Sequence, residues 1–202
     1  MFRDSTSLSD KIREAIKPTP MKRRIQMATR RLRLQTSRLE RTVSQMEARD
    51  RTLYDRCAKA LQARDTQAAT LFANECVEIR KLVKTSITSQ ICLEQAVLRL
   101  ETIEQFGDMV HSMSAVKGII GNVREELEGK LPQISTSLAD VEDSLANLTI
   151  EVGQAVDSEA SSVPASDESA RILKEADLMA EQKMREKFPE MPQIHNDPPR
   201  LR

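Results

Sequence analysis

The side chains with chemistry to offer in this sequence are cations. Arg23, Arg30, Arg31, Arg38, Arg41, Arg49, Arg56 and Lys59 recur along one stretch, joined at its start by Lys22 and Arg24. The acids that dilute them are Glu40, Glu47, Asp50 and Asp55. A row of this kind attracts a polyanion: phospholipid headgroups, nucleic acid or an acidic protein segment. On a helix rising about 1.5 Å per residue, it would run for roughly 50 Å. Headgroups would contribute about 1 kcal/mol for each Lys or Arg close to the surface. Covalent and metal chemistry leave no comparable signal. Cys57, Cys76 and Cys92 have no CxxC spacing, and only His111 and His195 could join them in a metal site. Idle thiols in a reducing cytosol are the better reading. No Gly-rich phosphate loop, triad spacing or paired acid/base cluster occurs. The expectation is a protein that is not an enzyme, with no cofactor, no metal and no small-molecule substrate.

The charge is polarised. Lys plus Arg and Asp plus Glu number 31 each over 202 residues, which looks neutral. Residues 1–64 nevertheless carry 17 basic and 7 acidic side chains, a net +10, and residues 65–202 carry a net −10. From Leu131 to Ala170 there is no Lys or Arg, against eight acids. Such a split suggests an anionic partner for the first part, or contact between the two parts.

The element that must carry the basic row is a helix. From Met21 to Phe106, 86 residues pass without Gly or Pro. Thr19-Pro20 offers a cap and a proline at the first helical position. Ile25, Leu32, Leu39, Met46 and Leu53 then recur every seven residues, with most of the cations on the opposite side or its flanks. Continued further, that register reaches Ala60, Gln67, Asn74 and Lys81, where the seam dies. A second seam starts out of phase at Phe72, Cys76, Ile79, Val83 and Ile87. A continuous rod would have no reason to change seam. Asp65-Thr66 can cap a new helix, so the spacing predicts a tight turn near Arg64–Gln67 and two antiparallel arms, each roughly 60 Å long. Beyond Ile87 the second arm is apolar on several sides and wants a further partner, a later helix or another copy.

Shorter elements follow. Gly107, Gly118 and Gly121 punctuate a stretch that otherwise reads helical from Asp108 to Glu128; as a group they form a hinge region, or they permit close packing. Ile134, Leu138, Val141, Leu145, Leu148 and Val152 predict an acidic amphipathic helix. Gly153–Ala165 has linker composition. Ser166 would cap a last helix with Ile172, Leu173, Ala176, Met179, Ala180 and Met184 on one side, ending at Phe188-Pro189. The fold class is all-α: a long antiparallel helical hairpin followed by shorter C-terminal helices. Four segments result: residues 1–19 in front, a core over 20–152, a linker over 153–167 and a C-terminal helix and tail over 168–202.

The front segment places Leu8, Ile12 and Ile16 four residues apart, beside Lys11, Arg13 and Lys17. Two turns of helix are too short to be stable in water but fold at a lipid interface; the alternative is a frayed terminus. Nucleic acid is the competing polyanion, yet its single-strand readers set aromatics among the cations, and Tyr54 is the only aromatic on the arm. The expected membrane-binding set is therefore Leu8, Ile12, Ile16, Lys22, Arg23, Arg24, Arg30, Arg31, Arg38 and Arg41. No apolar run approaches the roughly 20 residues needed to span a bilayer. Contact with membrane would be peripheral, from the cytoplasmic side.

The basic long helix, the tight turn and "AATLFANECVEIRKL" resemble the helical hairpin of the ESCRT-III family, nearest to its archaeal cell-division branch, the CdvB-like proteins. The likeness spans roughly Pro20 to Val152. Phe188, Pro189, Met191 and Pro192 in "FPEMP" are similar to that family's proline-spaced type 2 MIT-interacting motif, hydrophobic–Pro–x–hydrophobic–Pro. The resemblance implies a membrane-remodelling subunit that polymerises with itself and with paralogous subunits on anionic membrane. It implies restraint by the acidic C-terminal half and disassembly by an AAA ATPase whose MIT domain grips the tail. A phage-shock or thylakoid-type membrane-maintenance coil shares the hairpin but has no use for such a tail. A basic coiled coil that binds nucleic acid is the alternative from a different class.

Overall fold

A computed structural model describes residues 21–106, 110–155 and 165–192. The amphipathic segment expected through Leu8, Ile12 and Ile16, and Gly107 of the expected hinge, lie outside them. The described residues form α1 (Met21–Gln62), α2 (Thr66–Phe106), α3 (Val110–Leu127), α4 (Pro132–Ala155) and α5 (Ala165–Lys187). α1 and α2 pack along each other as the predicted hairpin. Ile25, Leu32, Leu39, Val43 and Cys57 on one arm, and Cys76, Val83, Ile87 and Ile91 on the other, are buried.

The reversal falls at Ala63–Asp65, where local bonds close α1 and open α2. Arg64 takes a left-handed φ of 60°, its N–H donates to the Leu61 carbonyl, and the Asp65 N–H donates to the Ala60 carbonyl. That pair of bonds satisfies the orphan carbonyls at a helix C-terminus, here with Arg where Gly is usual. Asp65 then serves as the expected cap, its Oδ1 accepting the Ala68 N–H at 2.9 Å. The turn between α3 and α4 follows the same logic with Gly129 at φ 74°, and Pro132 sits at the first position of α4.

The extra apolar faces of α2 find their partners within the chain. α3 and α5 both pack on α2, α4 packs on α1 and α3, and α5 also contacts α3. Leu93, Leu100, Ile119, Ile120, Leu127, Leu138, Leu145 and Leu148 are almost completely buried where these helices meet. Every residue of the α4 seam from Ile134 to Leu148 is buried as the sequence predicts.

Three expectations need correction. α4 runs through Gly153 to Ala155, because a single glycine costs only about 1 kcal/mol in a helix. Met179, expected on the apolar side of α5, is 52% exposed. The buried line there is Ile172, Ala176 and Ala180, continued by the partly buried Met184 and Phe188. Each four-residue step overshoots the roughly 3.6 residues of a turn, so the line winds around the helix and leaves Met179 behind. Asp50, read as diluting the basic row, instead lies in the interarm seam at 1% exposure.

Candidate functional site

The cations of α1 form its outer face. Lys22, Arg23, Arg30, Arg31, Arg38, Arg41, Arg49, Arg56 and Lys59 are exposed, and Arg24 is half-buried. The helical period puts most of them opposite the buried Leu32 and Leu39. Arg24 Nη1 pairs with Glu151 Oε2 of α4 at 2.5 Å, and this bond holds the Glu151 carboxyl below its ordinary range. Arg33 pairs with Glu101 across the arms. Arg38 reaches Gln35 Oε1 at 3.4 Å. Among the described residues, Arg23, Arg30, Arg31 and Arg41 form no ion pair.

Two apolar side chains stand within this face. Met27 is 47% and Leu34 51% exposed, seven residues apart and flanked by Arg23, Arg30, Arg31, Arg38 and Arg41. The sequence reading missed both, because it assigned apolar residues to the seam. Their signal was legible nonetheless: they repeat at seven, two positions out of step with Ile25 and Leu32. Cations around a shallow apolar stripe make a surface suited to an anionic interface with a hydrophobic layer beneath it.

The acidic half of the chain borders this face without covering it. α4 lies beside α1, leaving grooves of about 260 Å³ next to Arg24, Met27 and Arg31 and about 450 Å³ next to Arg38 and Arg41. α4 is held by its apolar seam. Asp140 and Asp143 remain exposed, and Glu142 turns inward to accept from Arg124 Nε at 3.1 Å. Gly118 and Gly121 lie inside an unbroken α3. A Cβ on Gly121 would meet Glu142 Oε1 at 3.5 Å, so the glycine faces that carboxylate at ordinary contact distance.

The tail segment lies at the other end of the hairpin. α5 runs antiparallel to α2, pinned in order by Arg99 with Glu168 at 2.6 Å and by Lys84 with Asp177 and Glu181, each at 3.0 Å. Hydrogen bonds from Lys84 to these two carboxylates raise its pKa above the usual lysine value. Its contribution to docking is therefore complete below that usual value and is lost only as pH climbs through the raised one. The α5 helix ends where its sequence requires, since Pro189 cannot donate. Beyond it residues 189–192 form no regular element, and Pro189 and Met191 contact the hairpin through Arg80 and the cluster of Cys57, Ala60 and Ala69. Lys187 Nζ pairs with Glu47 Oε1 at 2.5 Å.

Arg80 organises this contact. Its Nε and Nη2 donate to the two carboxylate oxygens of Asp50 at 2.8 and 3.0 Å. Its Nη1 donates to the Pro189 carbonyl at 2.7 Å, and its guanidinium lies 5.1 Å from the centre of the Phe188 ring. Met191 packs against the tip cluster of Cys57, Ala60 and Ala69, beside Phe72. All three thiols are buried. Burial raises the pKa of Cys57, pushes Cys92 up to about 12 and, with the Asp50 carboxylate, Cys76 up to about 11. These are thiols kept protonated and unreactive.

Comparison with known proteins places the chain. The Snf7 family model matches residues 27–197. The chain is 38% identical over 173 residues to Cell division protein B1 of Sulfolobus acidocaldarius, covering 86% of this chain and 81% of that one. It is 29% identical over 171 residues to Cell division protein B of the same organism, covering 84% of this chain and 65% of that relative. No solved structure matches it significantly.

Proposed function

The chain belongs to the Snf7 family, that of ESCRT-III, whose members are structural rather than enzymatic, and from that premise we propose a role in cell division. The protein polymerises, with its own copies and with paralogous subunits, on the anionic cytoplasmic face of the cell membrane. An AAA ATPase disassembles the polymer by gripping Phe188, Pro189, Met191 and Pro192 with its MIT domain. The similarity to two proteins named for cell division supports the cellular setting. The observation that carries the membrane reading is the outer face of α1, a row of exposed cations with Met27 and Leu34 among them. No helix among the described residues is long and apolar enough to cross a membrane, which suits attachment through this face. The glycines at 107, 118 and 121 would let the C-terminal half swing away when the polymer forms.

Flotation of the full chain with anionic vesicles, beside a DNA gel shift at equal ionic strength, tests this reading. Binding to anionic but not neutral vesicles is expected, with at most weak and salt-labile retardation of DNA. The Met27→Ser/Leu34→Ser variant should bind about tenfold less well at physiological salt, since burying two such side chains contributes at least 1–2 kcal/mol. That loss should persist at raised salt, where the cationic contribution is screened over about 8–10 Å. Tight DNA binding without flotation would reject the membrane assignment.

A further inference from the structure

The two grooves between α1 and α4 differ in what their cations already hold. In the smaller one, Arg24 is tied to Glu151 of α4. The larger, of about 450 Å³, lies where the start of α4 meets Arg38, Arg41, Thr42 and Gln45 of α1. Those four are spaced three, one and three residues apart, so they share one face of the helix. Gln133 stands on the α4 side, and Leu131 and Ile134 supply apolar wall. Among the described residues, no acid lines this groove. Its polar groups are also unused. Arg41 forms no ion pair within the described chain, and the side chains of Thr42, Gln45 and Gln133 make no hydrogen bond there. Arg38 reaches only Oε1 of Gln35, a residue 3% exposed, at 3.4 Å. The first amides of α4 are already taken: those of Ile134 and Ser135 donate to the Leu131 carbonyl at 3.0 and 3.1 Å. The groove therefore acts through its side chains.

Two guanidinium forks beside a hydroxyl and two amides suit one anion in particular. Each fork matches a pair of phosphate oxygens. A terminal phosphoryl group carries close to two negative charges at neutral pH and three acceptor oxygens, which engages both forks and the neutral donors next to them. A phosphodiester brings one charge and two free oxygens, too few for the whole set. Leu34, 51% exposed, stands one turn before Arg38 on the same side of α1. A phosphoryl group borne by a lipid would thus place hydrocarbon beside an apolar side chain.

We propose that this groove is a binding site for a terminal phosphoryl group, carried by a phosphomonoester lipid headgroup or by soluble glycerol phosphate. The lipid-borne form rests on the membrane reading given above; the phosphoryl site does not. The row of cations on α1 attracts any anionic surface, whereas the groove selects among anions by hydrogen bonding. Flotation separates the two effects. Vesicles of phosphatidylcholine with phosphatidic acid, or with phosphatidylglycerol, are adjusted to equal zeta potential. The full chain should bind the phosphatidic acid vesicles about tenfold better, the scale of one hydrogen bond to a charged group. Thr42→Val/Gln45→Leu and Gln133→Leu alter no charge. Both should lose most of that preference while binding phosphatidylglycerol vesicles as the parent does. Arg41→Lys keeps the charge but loses the fork, and should lose the preference too. Circular dichroism and thermal midpoints should match the parent, since these side chains are exposed or half-buried.

Isothermal titration of the full chain with glycerol phosphate reads the soluble form. Binding that disappears in Thr42→Val/Gln45→Leu places the free group in the groove. Preference for phosphatidic acid without such binding assigns the lipid-borne form alone. Equal binding of the parent to both vesicle types, with no glycerol phosphate bound, would overturn the proposal and leave membrane attachment standing. A preference that survives all three variants would overturn it as well, because charge alone would then account for it. Glycerol phosphate binding without flotation on either vesicle would sink the membrane reading and leave the groove a phosphoryl site.

Discussion

Replacing Arg30, Arg31, Arg38 and Arg41 together by Glu is expected to abolish binding to anionic vesicles at physiological salt. Four cations at about 1 kcal/mol each amount to roughly 4 kcal/mol, on the order of a thousandfold in partitioning, before the repulsion of the new carboxylates is added. The fold should not notice. All four side chains are exposed, and apart from a hydrogen bond from Arg38 to Gln35 in the same helix they make no polar bond to the rest of the described chain. Exposed charges contribute only tenths of a kcal/mol to stability in typical cases. Circular dichroism should be unchanged and the thermal midpoint should move little. Flotation by the variant at wild-type levels would remove the membrane role from this face.

The second large effect lies at the tip. Arg80→Ala should destabilise the chain by about 3–5 kcal/mol, because it strands the Asp50 carboxylate without a partner. The side chains of Asp50 and Arg80 are 2% and 15% exposed, so water cannot replace the lost bonds without opening the seam. Against a typical total stability of about 5–15 kcal/mol, that is a large fraction. The apolar pair Asp50→Leu/Arg80→Leu should recover most of the loss, since exchanging a buried pair for packed hydrocarbon is often close to neutral. Urea denaturation of the three proteins measures both numbers. A loss below about 1 kcal/mol in the single variant would make the pair equivalent to a surface ion pair.

The hairpin was legible because its causes are local and periodic. Each step of the seven-residue repeat from Ile25 to Leu53 spans two turns, and its failure near Ala60 and the capping side chain of Asp65 lie within two turns of each other in sequence. The Asp50–Arg80 pair was not. A carboxylate among arginines on a linear chain reads as dilution of charge, and only a partner 30 residues away turns it into a buried anchor. The sequence likewise presents the proline-spaced tail as a ligand for a groove elsewhere. Nothing in five residues reveals that α5 runs back along α2 far enough to bring Phe188 to Arg80. Met27 and Leu34 escaped for a different reason: their period was visible, but a search for a core discards apolar residues that fall on a charged face. The acidic stretch after Leu131 was expected to meet the basic arm through charge. In the fold it meets α1 mainly through an apolar seam, with the Arg24–Glu151 pair at one edge, and the exposed cations keep their field.

The measurement that bears most directly on the account is electron microscopy of the purified full-length chain mixed with anionic or with neutral vesicles at physiological salt. The account predicts ordered filaments on the anionic vesicles, none on the neutral ones, and none on either with the Arg30, Arg31, Arg38 and Arg41 reversal. Bare anionic vesicles in the presence of protein, or filaments equally abundant with the reversed variant, would contradict it.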